Sequence, residues 1–369
     1  MRRTLIKVHL WLGLTIGLLW AIQGMTGALL VFHREEDRWA VPQPNGGPPA
    51  PIDEVVAAAE QATDGAWIQR LAIADAHRDL INVYYADHAA HAGHGGDPHY
   101  RAVIVDASTA KVLGFRDVHP MTPFTGAPNQ WIDMLHMALL GGRRGEIFIA
   151  LSGLVLLSAT ALGLYIAWPP LRAWKYTFSY RRWRSKDQKL YGWHRAVGLC
   201  AGFILVVLAL TGACVNLESS VESAAASFLD HRPPYKAKPL AELPATIAAG
   251  TALQIAQKNF PDAVWVRLFT PTPADPVYRI RFFQQGENRA WLGKTMVVVD
   301  AINGRVLDRY DAIRVPWSNR WIDAAFALHN GELLGLGGRI LVLLTGLTLP
   351  VLYVTGIWRW VNSRRRTRA

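Results

Sequence analysis

Two cysteines in 369 residues, Cys200 and Cys214, leave little room for sulfur chemistry. They stand fourteen residues apart in one apolar run, about 21 Å along a helix, too far for a mutual disulfide. There is no CxxCH motif for thioether attachment of a cofactor and no CxxC pair for zinc or an iron–sulfur cluster. Any redox chemistry must therefore use something other than sulfur. Acidic residues are also scarce, 28 against 39 Lys and Arg. These gaps argue against thiol chemistry and against CxxC-type zinc, iron–sulfur or thioether-linked haem sites.

What is abundant is apolar sequence, gathered into blocks. Half the residues are hydrophobic. Leu10 to Phe32, Ile147 to Trp168, Ala196 to Leu217 and Ile340 to Trp358 are each about long enough to cross a ~30 Å hydrocarbon core as helix. Four spans are expected. The basic residues flank them on one side: Arg2, Arg3 and Lys7 before the first, Arg172, Lys175, Arg181, Arg182, Arg184, Lys186 and Lys189 between the second and third, and Arg359, Arg364, Arg365, Arg366 and Arg368 after the fourth. Asp187 alone opposes them, so these segments carry about +14, more than the whole chain's net +11. That is the positive-inside pattern and places both termini in the cytoplasm of a multi-pass membrane protein, with the two long segments outside. It also accounts for the basic balance without nucleic acid. The first span has no small-residue cleavage site at the usual spacing and is read as retained.

The chain is written twice. His9, Gly13, Gly17, Thr26, Gly27 and Ala28 match His194, Gly198, Gly202, Thr211, Gly212 and Ala213 at an offset of 185. "VIVDASTAKVLGFRD" from Val103 matches "VVVDAINGRVLDRYD" from Val297, and His136, Gly145, Gly153 and Gly163 match His329, Gly338, Gly346 and Gly356 at 193. Both halves share one topology, so this is a parallel repeat about an axis along the membrane normal, and mates lie at equal depth. The expected layout is span 1 (1–33), an α+β unit (34–128), an interfacial segment with span 2 (129–170), a basic loop (171–190), span 3 (191–217), a second α+β unit (218–318), an interfacial segment with span 4 (319–361) and a basic tail (362–369). Each unit reads as an amphipathic helix followed by strands that end in a tight turn, "DASTAKVLG" or "DAINGRVLD". Neither unit carries a catalytic constellation.

Ionisable groups at the edge of a span are functional candidates. His9 and His194 have two open readings, interfacial anchors or ligands. The second is favoured because the pair recurs at one depth and each has a glycine at i+4, Gly13 or Gly198. A planar macrocycle between two helices needs axial nitrogens from both sides and bare backbone where its rim lies. Two axial imidazoles on a haem iron leave no open position, which suits electron transfer. The same logic pairs His136 with His329 at the other face, each on an expected local helix ahead of its span, with a structural role such as capping as the other open reading. Arg143, Arg144 and Arg339 lie nearby as propionate partners, and His33 is a rival ligand without a mate. Trp131, Trp317 and Trp321 form an aromatic rim that serves either substrate contact or interfacial anchoring. His88, His91, His94 and His99 form a histidine-rich loop with loose metal-binding spacing.

The stretches "HLWLGLTIGLLWAIQGMTGALLVF", "WHRAVGLCAGFILVVLALTGACVNLE" and "LHNGELLGLGGRILVLLTGLTLPVLYVTGIWRW", with the two helix–strand units, resemble the PepSY-associated transmembrane proteins. That family includes iron-regulated inner-membrane proteins and di-haem ferric-siderophore reductases. The resemblance implies four spans, two periplasmic PepSY-like units and two b haems, with His9, His194, His136 and His329 as axial ligands. "LHMALLGGRRGEIF" departs from the glycine-rich "HNGELLG" form around His136. The expected activity is electron transfer outward to a ferric siderophore from a separate donor, since no flavin or nicotinamide module is fused. A permease or a periplasmic binding or sensing protein for a metal chelate is the alternative.

Overall fold

In a computed structural model, residues 1–33, 35, 44–73, 79–87, 99–118, 128–179, 183, 185–288 and 293–368 are described. In chain order the helices are α1 (Arg2–Thr15), α2 (Gly17–Leu30), α3 (Ile52–Ala62), α4 (Pro128–Ala138), α5 (Gly142–Ala167), the short α6 (Trp174–Thr177), α7 (Lys186–Asn216), α8 (Glu218–Phe228), α9 (Ala249–Gln257), α10 (Trp317–His329) and α11 (Gly335–Arg368). The strands are β1 (Ile68–Ile73), β2 (Leu80–Asp87), β3 (His99–Asp106), β4 (Val112–Asp117), β5 (Val264–Phe269), β6 (Val277–Phe283), β7 (Thr295–Asp300) and β8 (Val306–Tyr310). They fall into two compact units, Met1–Val31 with Ile132–Val221 and Ala325–Ala369, and Phe32–Trp131 with Glu222–Ala324.

The first unit is a helix bundle and makes this a multi-pass membrane protein. Helices α5, α7 and α11 are each long and apolar enough to cross a bilayer, and α1 with α2 counts as a fourth only as a bent pair. Four spans were expected; three are single long helices, and the first is a pair that breaks by 62° at Ile16. Two local features lie at the break. The Thr15 hydroxyl donates to the Trp11 carbonyl at 2.8 Å, a back-bond that bends helices. Gly17 then lets the Tyr353 ring come so close that a Cβ would stand 2.7 Å from its Cδ2. The repeat mate of Thr15 is Cys200, and α7 runs through that position unbroken.

Small residues set the helix crossings. A Cβ on Gly24 of α2 would stand 2.4 Å from the Gly346 carbonyl of α11, and one on Gly346 would stand 2.7 Å from the Gly24 carbonyl. The mate crossing, α5 on α7, puts Gly153 against the Ala209 carbonyl at 3.4 Å. Lipid tails are as apolar as leucine side chains, so close backbone approach supplies much of the attraction between such helices. Helix α7 starts on a capping box in which Ser185 and Gln188 satisfy each other's backbone amides.

The second unit also departs from expectation. Two separate α+β units were anticipated, but the strands join in one eight-stranded antiparallel sheet of order β4-β3-β2-β1-β5-β6-β7-β8. The seam is β1 against β5, with Arg70 opposite Phe269, Leu71 opposite Leu268 and Ala72 opposite Arg267. Joining the two sheets covers an edge that each would otherwise expose. Leu71, Val83, Val103, Leu268, Ile280 and Val297 cover one face, where they pack in a core with Val55 and Ala59 of α3 and Ala252 and Ala256 of α9. Asp106 pins the turn after β3: its carboxylate accepts from the backbone amides of Asn45, Ser108 and Thr109 and from the Ser108 hydroxyl. The mate, Asp300, accepts from Ile302 and Asn303 after β7.

Candidate haem-ligand pairs in the helix bundle

The four histidines singled out by the repeat come together as two pairs. His9 on α1 and His194 on α7 have ring centroids 6.3 Å apart with the rings at 77°. His136 on α4 and His329 on α10 are 6.2 Å apart at 43°. The His194 position and Gly212, against which His329 packs, lie on the same continuous helix, eighteen residues or about 27 Å apart. The two pairs therefore sit near opposite ends of the bundle.

All four imidazoles are held in one way. Nδ1 of His9 is 3.1 Å from the Ala159 carbonyl, and Cε1 lies 2.9 Å from where a Cβ on Gly163 would stand. Nδ1 of His194 is 3.1 Å from the Leu352 carbonyl, and a Cβ on Gly356 would stand 3.5 Å from its ring. His136 bonds the Gln23 backbone, and a Cβ on Gly27 would stand 2.9 Å from its Cε1. Nδ1 of His329 lies 3.0 Å from the Leu208 carbonyl, and a Cβ on Gly212 would stand 2.7 Å from its Cε1. In each case the acceptor carbonyl comes four residues before the glycine, on the same helix face one turn away. The bare glycine lets the ring lie on the neighbouring backbone, and the carbonyl orients it.

Threonine hydroxyls then settle the tautomer at three of the four sites. Thr26, Thr211 and Thr355 stand 3.0, 3.2 and 3.1 Å from Nδ1 of His136, His329 and His194. Each hydroxyl proton already goes to the carbonyl four residues back, Ile22, Val207 or Val351. The threonine oxygen is thus an acceptor and Nδ1 carries the proton. Nε2 keeps its lone pair and makes no hydrogen bond among the described residues, which is the state a metal-ligating imidazole needs. At His9 the position equivalent to Thr355 is Leu162, so its Nδ1 has the carbonyl alone.

Does this arrangement fit a haem? A metal–imidazole bond of about 2.1 Å on each side, with the ring centre about 1.1 Å further on, sets trans imidazoles about 6.4 Å apart between centroids. The two pairs, at 6.3 and 6.2 Å, have that spacing. Among the described residues no three His, Cys, Asp or Glu side chains gather as a metal cluster. Two nitrogens do not complete the site of a bare ion, whereas a porphyrin iron brings four nitrogens and needs two more. The donor set fits haem.

Other expected residues have different surroundings. A Cβ on Gly13 would meet nothing within 4 Å, and one on Gly198 would meet Leu352 at 3.7 Å, so the glycines that touch the imidazoles are Gly163, Gly356, Gly27 and Gly212. Those four were visible as repeat mates but not as ring neighbours. The expected local helices ahead of spans 2 and 4 are α4 and α10. Near His136 the chain turns through Leu139 and Leu140 at φ of 49° and 61°, left-handed values that usually call for glycine. The turn folds back so tightly that a Cβ on Gly145 would overlap the Ala138 carbonyl, just as one on its mate Gly338 would overlap that of Gly331. The departure from "HNGELLG" thus changes the backbone path as well as the residues: Glu332 and Leu333, the mates of Leu139 and Leu140, lie in a 3-10 turn after left-handed Gly331, and only the close approach of the next helix is kept. Arg339 donates to the Val31 carbonyl at 2.7 Å, and Arg143 pairs with Glu146 at 2.9 Å and reaches the Asn216 carbonyl at 3.3 Å. The His33 carbonyl accepts from Asn129 at 3.3 Å. Trp317 and Trp321 are exposed, while Trp131 Nε1 is buried without a hydrogen bond. His88, His91 and His94 lie outside the described residues, and His99 opens β3.

The family model described as the PepSY-associated TM region matches residues 6–363, essentially the whole chain. No curated protein matches it.

Proposed function

The chain belongs to the PepSY-associated TM region family, and with that footing we propose that it is a b-type di-haem oxidoreductase of the bacterial inner membrane that reduces ferric siderophores at the periplasmic face. The observation that carries the reading is the arrangement of four imidazoles in two pairs, each ring bonded through Nδ1 and the partners' ring centres 6.3 and 6.2 Å apart. His9 with His194, and His136 with His329, would hold the two groups. Bound there, haem supplies a one-electron Fe(III)/Fe(II) couple.

The chain's own contribution is placement. The carbonyl and threonine acceptors fix each ring and raise the basicity of Nε2. His9 with His194, and His136 with His329, would each give both imidazoles to one haem, which would suit that group to electron transfer. Ligand pairs about 27 Å apart on a helix suit a bilayer whose core is about 30 Å thick. A separate donor on the basic, cytoplasmic side loses one electron for each Fe(III) reduced. Hard siderophore oxygens hold Fe(II) less well than Fe(III), so reduction releases iron.

The test is spectroscopic and then chemical. Protein purified from haem-replete cells should be red, with a low-spin bis-imidazole spectrum and two haems per chain. Once reduced by dithionite and freed of excess reductant, it should convert a ferric siderophore to Fe(II), trapped by a ferrous chelator. Colourless protein, or a high-spin spectrum, refutes the proposal.

A further inference from the structure

The two histidine pairs hold their rings by one plan, yet they are not equivalent. They differ in what accepts the Nδ1 proton and in how the rings are turned.

At the His136–His329 pair each ring has two acceptors. His136 has the Gln23 carbonyl and Thr26 Oγ1, and His329 has the Leu208 carbonyl and Thr211 Oγ1. At the other pair His194 also has two, the Leu352 carbonyl and Thr355 Oγ1, but His9 has the Ala159 carbonyl alone. The difference traces to one residue. Each ring-facing glycine follows a threonine in Thr26-Gly27, Thr211-Gly212 and Thr355-Gly356, whereas the fourth follows leucine, Leu162-Gly163 on α5. An apolar side chain thus stands where the repeat elsewhere supplies a hydroxyl.

The second difference is angular. The rings of His136 and His329 lie at 43° to each other, and those of His9 and His194 at 77°.

Both differences act in one direction on a ligated iron. An acceptor on Nδ1 makes Nε2 a stronger donor, which stabilises Fe(III) and lowers the reduction potential. Imidazole planes nearer to parallel donate into the same iron dπ orbital, the one that carries the ferric hole. Crossed planes divide that donation between two orbitals and stabilise Fe(III) less.

We propose that the chain builds two sites of unequal potential, the His9–His194 site the higher and the His136–His329 site the lower, with Leu162 as the positioning residue that withholds an acceptor from His9. The inference rests on the haem reading above. Its consequence is that the more strongly reducing couple belongs to His136 and His329, on the side where a ferric chelate would be met. Such a substrate is hard to reduce, because its hard oxygens favour Fe(III).

Spectroelectrochemical titration of the purified full chain, with electron paramagnetic resonance of the oxidised protein, tests the proposal. Two titration steps are expected, the higher surviving in His136→Ala and the lower in His194→Ala. One low-spin signal should be strongly anisotropic with a single large g value, from the crossed rings, and should vanish in His194→Ala; the other should be rhombic with three resolved g values. In Leu162→Thr the new hydroxyl can donate to the Ser158 carbonyl, as the other three threonines do four residues back, and its oxygen can accept from His9. The higher step alone should fall, by about a threefold change in the ferric-to-ferrous ratio, the order of one neutral hydrogen bond, or about 28 mV at 59 mV per tenfold for one electron. Leu162→Val, the same branched shape without the oxygen, should leave that step in place. Thr355→Val should raise it, and reads the same kind of bond at the partner ring if Leu162→Thr fails to fold. Steps in the reverse order, two rhombic signals, equal potentials in Leu162→Thr and Leu162→Val, or an unmoved step in Thr355→Val overturn the proposal. Red protein with any of those results leaves the di-haem reading standing, whereas colourless protein sinks both.

Discussion

Alanine substitution at the four ring-facing glycines should produce a graded loss of haem, set by distances that differ among repeat mates. A methyl on Gly212 would stand 2.7 Å from His329 Cε1, where carbon pairs settle at about 3.5–4.0 Å. The imidazole must retreat by about 1 Å, and its 3.0 Å bond to the Leu208 carbonyl then stretches beyond hydrogen-bond range. Overpacking of this kind costs about 1–3 kcal/mol, equivalent to a roughly five- to hundredfold loss of affinity for whatever the ring ligates. Gly27→Ala and Gly163→Ala, at 2.9 Å, should follow, whereas Gly356→Ala, at 3.5 Å, is an ordinary contact and should be close to neutral. Haem per chain, measured by the pyridine haemochrome assay on purified protein, reads the order directly, with circular dichroism to check the fold. Equal loss in Gly212→Ala and Gly356→Ala, or full wild-type haem and an unchanged spectrum in Gly212→Ala, would refute the reasoning.

Three further outcomes are expected. His194→Ala should shed one haem and keep the His136–His329 site; retention of two haems would show that His194 is no ligand. Thr211→Val removes one acceptor from His329 Nδ1 while the Leu208 carbonyl remains; both haems should stay, and one midpoint potential should rise by a few tens of millivolts as the imidazole becomes a poorer donor, an amount corresponding to part of a ~1 kcal/mol hydrogen bond, whereas an unchanged potential counts against the tautomer assignment. Asp106 feels burial pushing its pKa up, but the hydrogen bonds from Asn45, Ser108 and Thr109 outweigh it and hold the group at about 2. Its unfolded value is about 3.9, so the carboxylate contributes on the order of 2 kcal/mol above that pH, lost as pH falls toward 2. Asp106→Asn should lower thermal stability at neutral pH and flatten its dependence between about pH 4 and 2, and an unaltered acid profile would remove the carboxylate from the account.

The four paired histidines were legible because the chain repeats them. Duplication of Thr26-Gly27 as Thr211-Gly212 was equally plain, yet its purpose was not. Glycine in an apolar helix serves close packing as readily as it serves a ring, and Gly24 and Gly346 do the former while Gly27 and Gly212 do the latter. Residue type does not separate these uses. Helix α4 was anticipated from the distance between His136 and the apolar run, but the left-handed Leu139 and Leu140 were not, since leucine gives no sign of that conformation.

Local order in the amino acids was enough for the apolar blocks, the strands, the sidedness of charge and the twofold repetition, because each depends on neighbours a few residues apart or on comparison of the chain with itself. Contacts between remote segments were of another kind. Gly163 meeting His9, the Tyr353 ring against Gly17 where the first span bends, and β1 joining β5 with Leu71 opposite Leu268 all bring together residues separated by about 150 positions or more. Such pairings follow from how helices and sheets fill space together, and periodicity along a single segment carries no record of what that segment will meet.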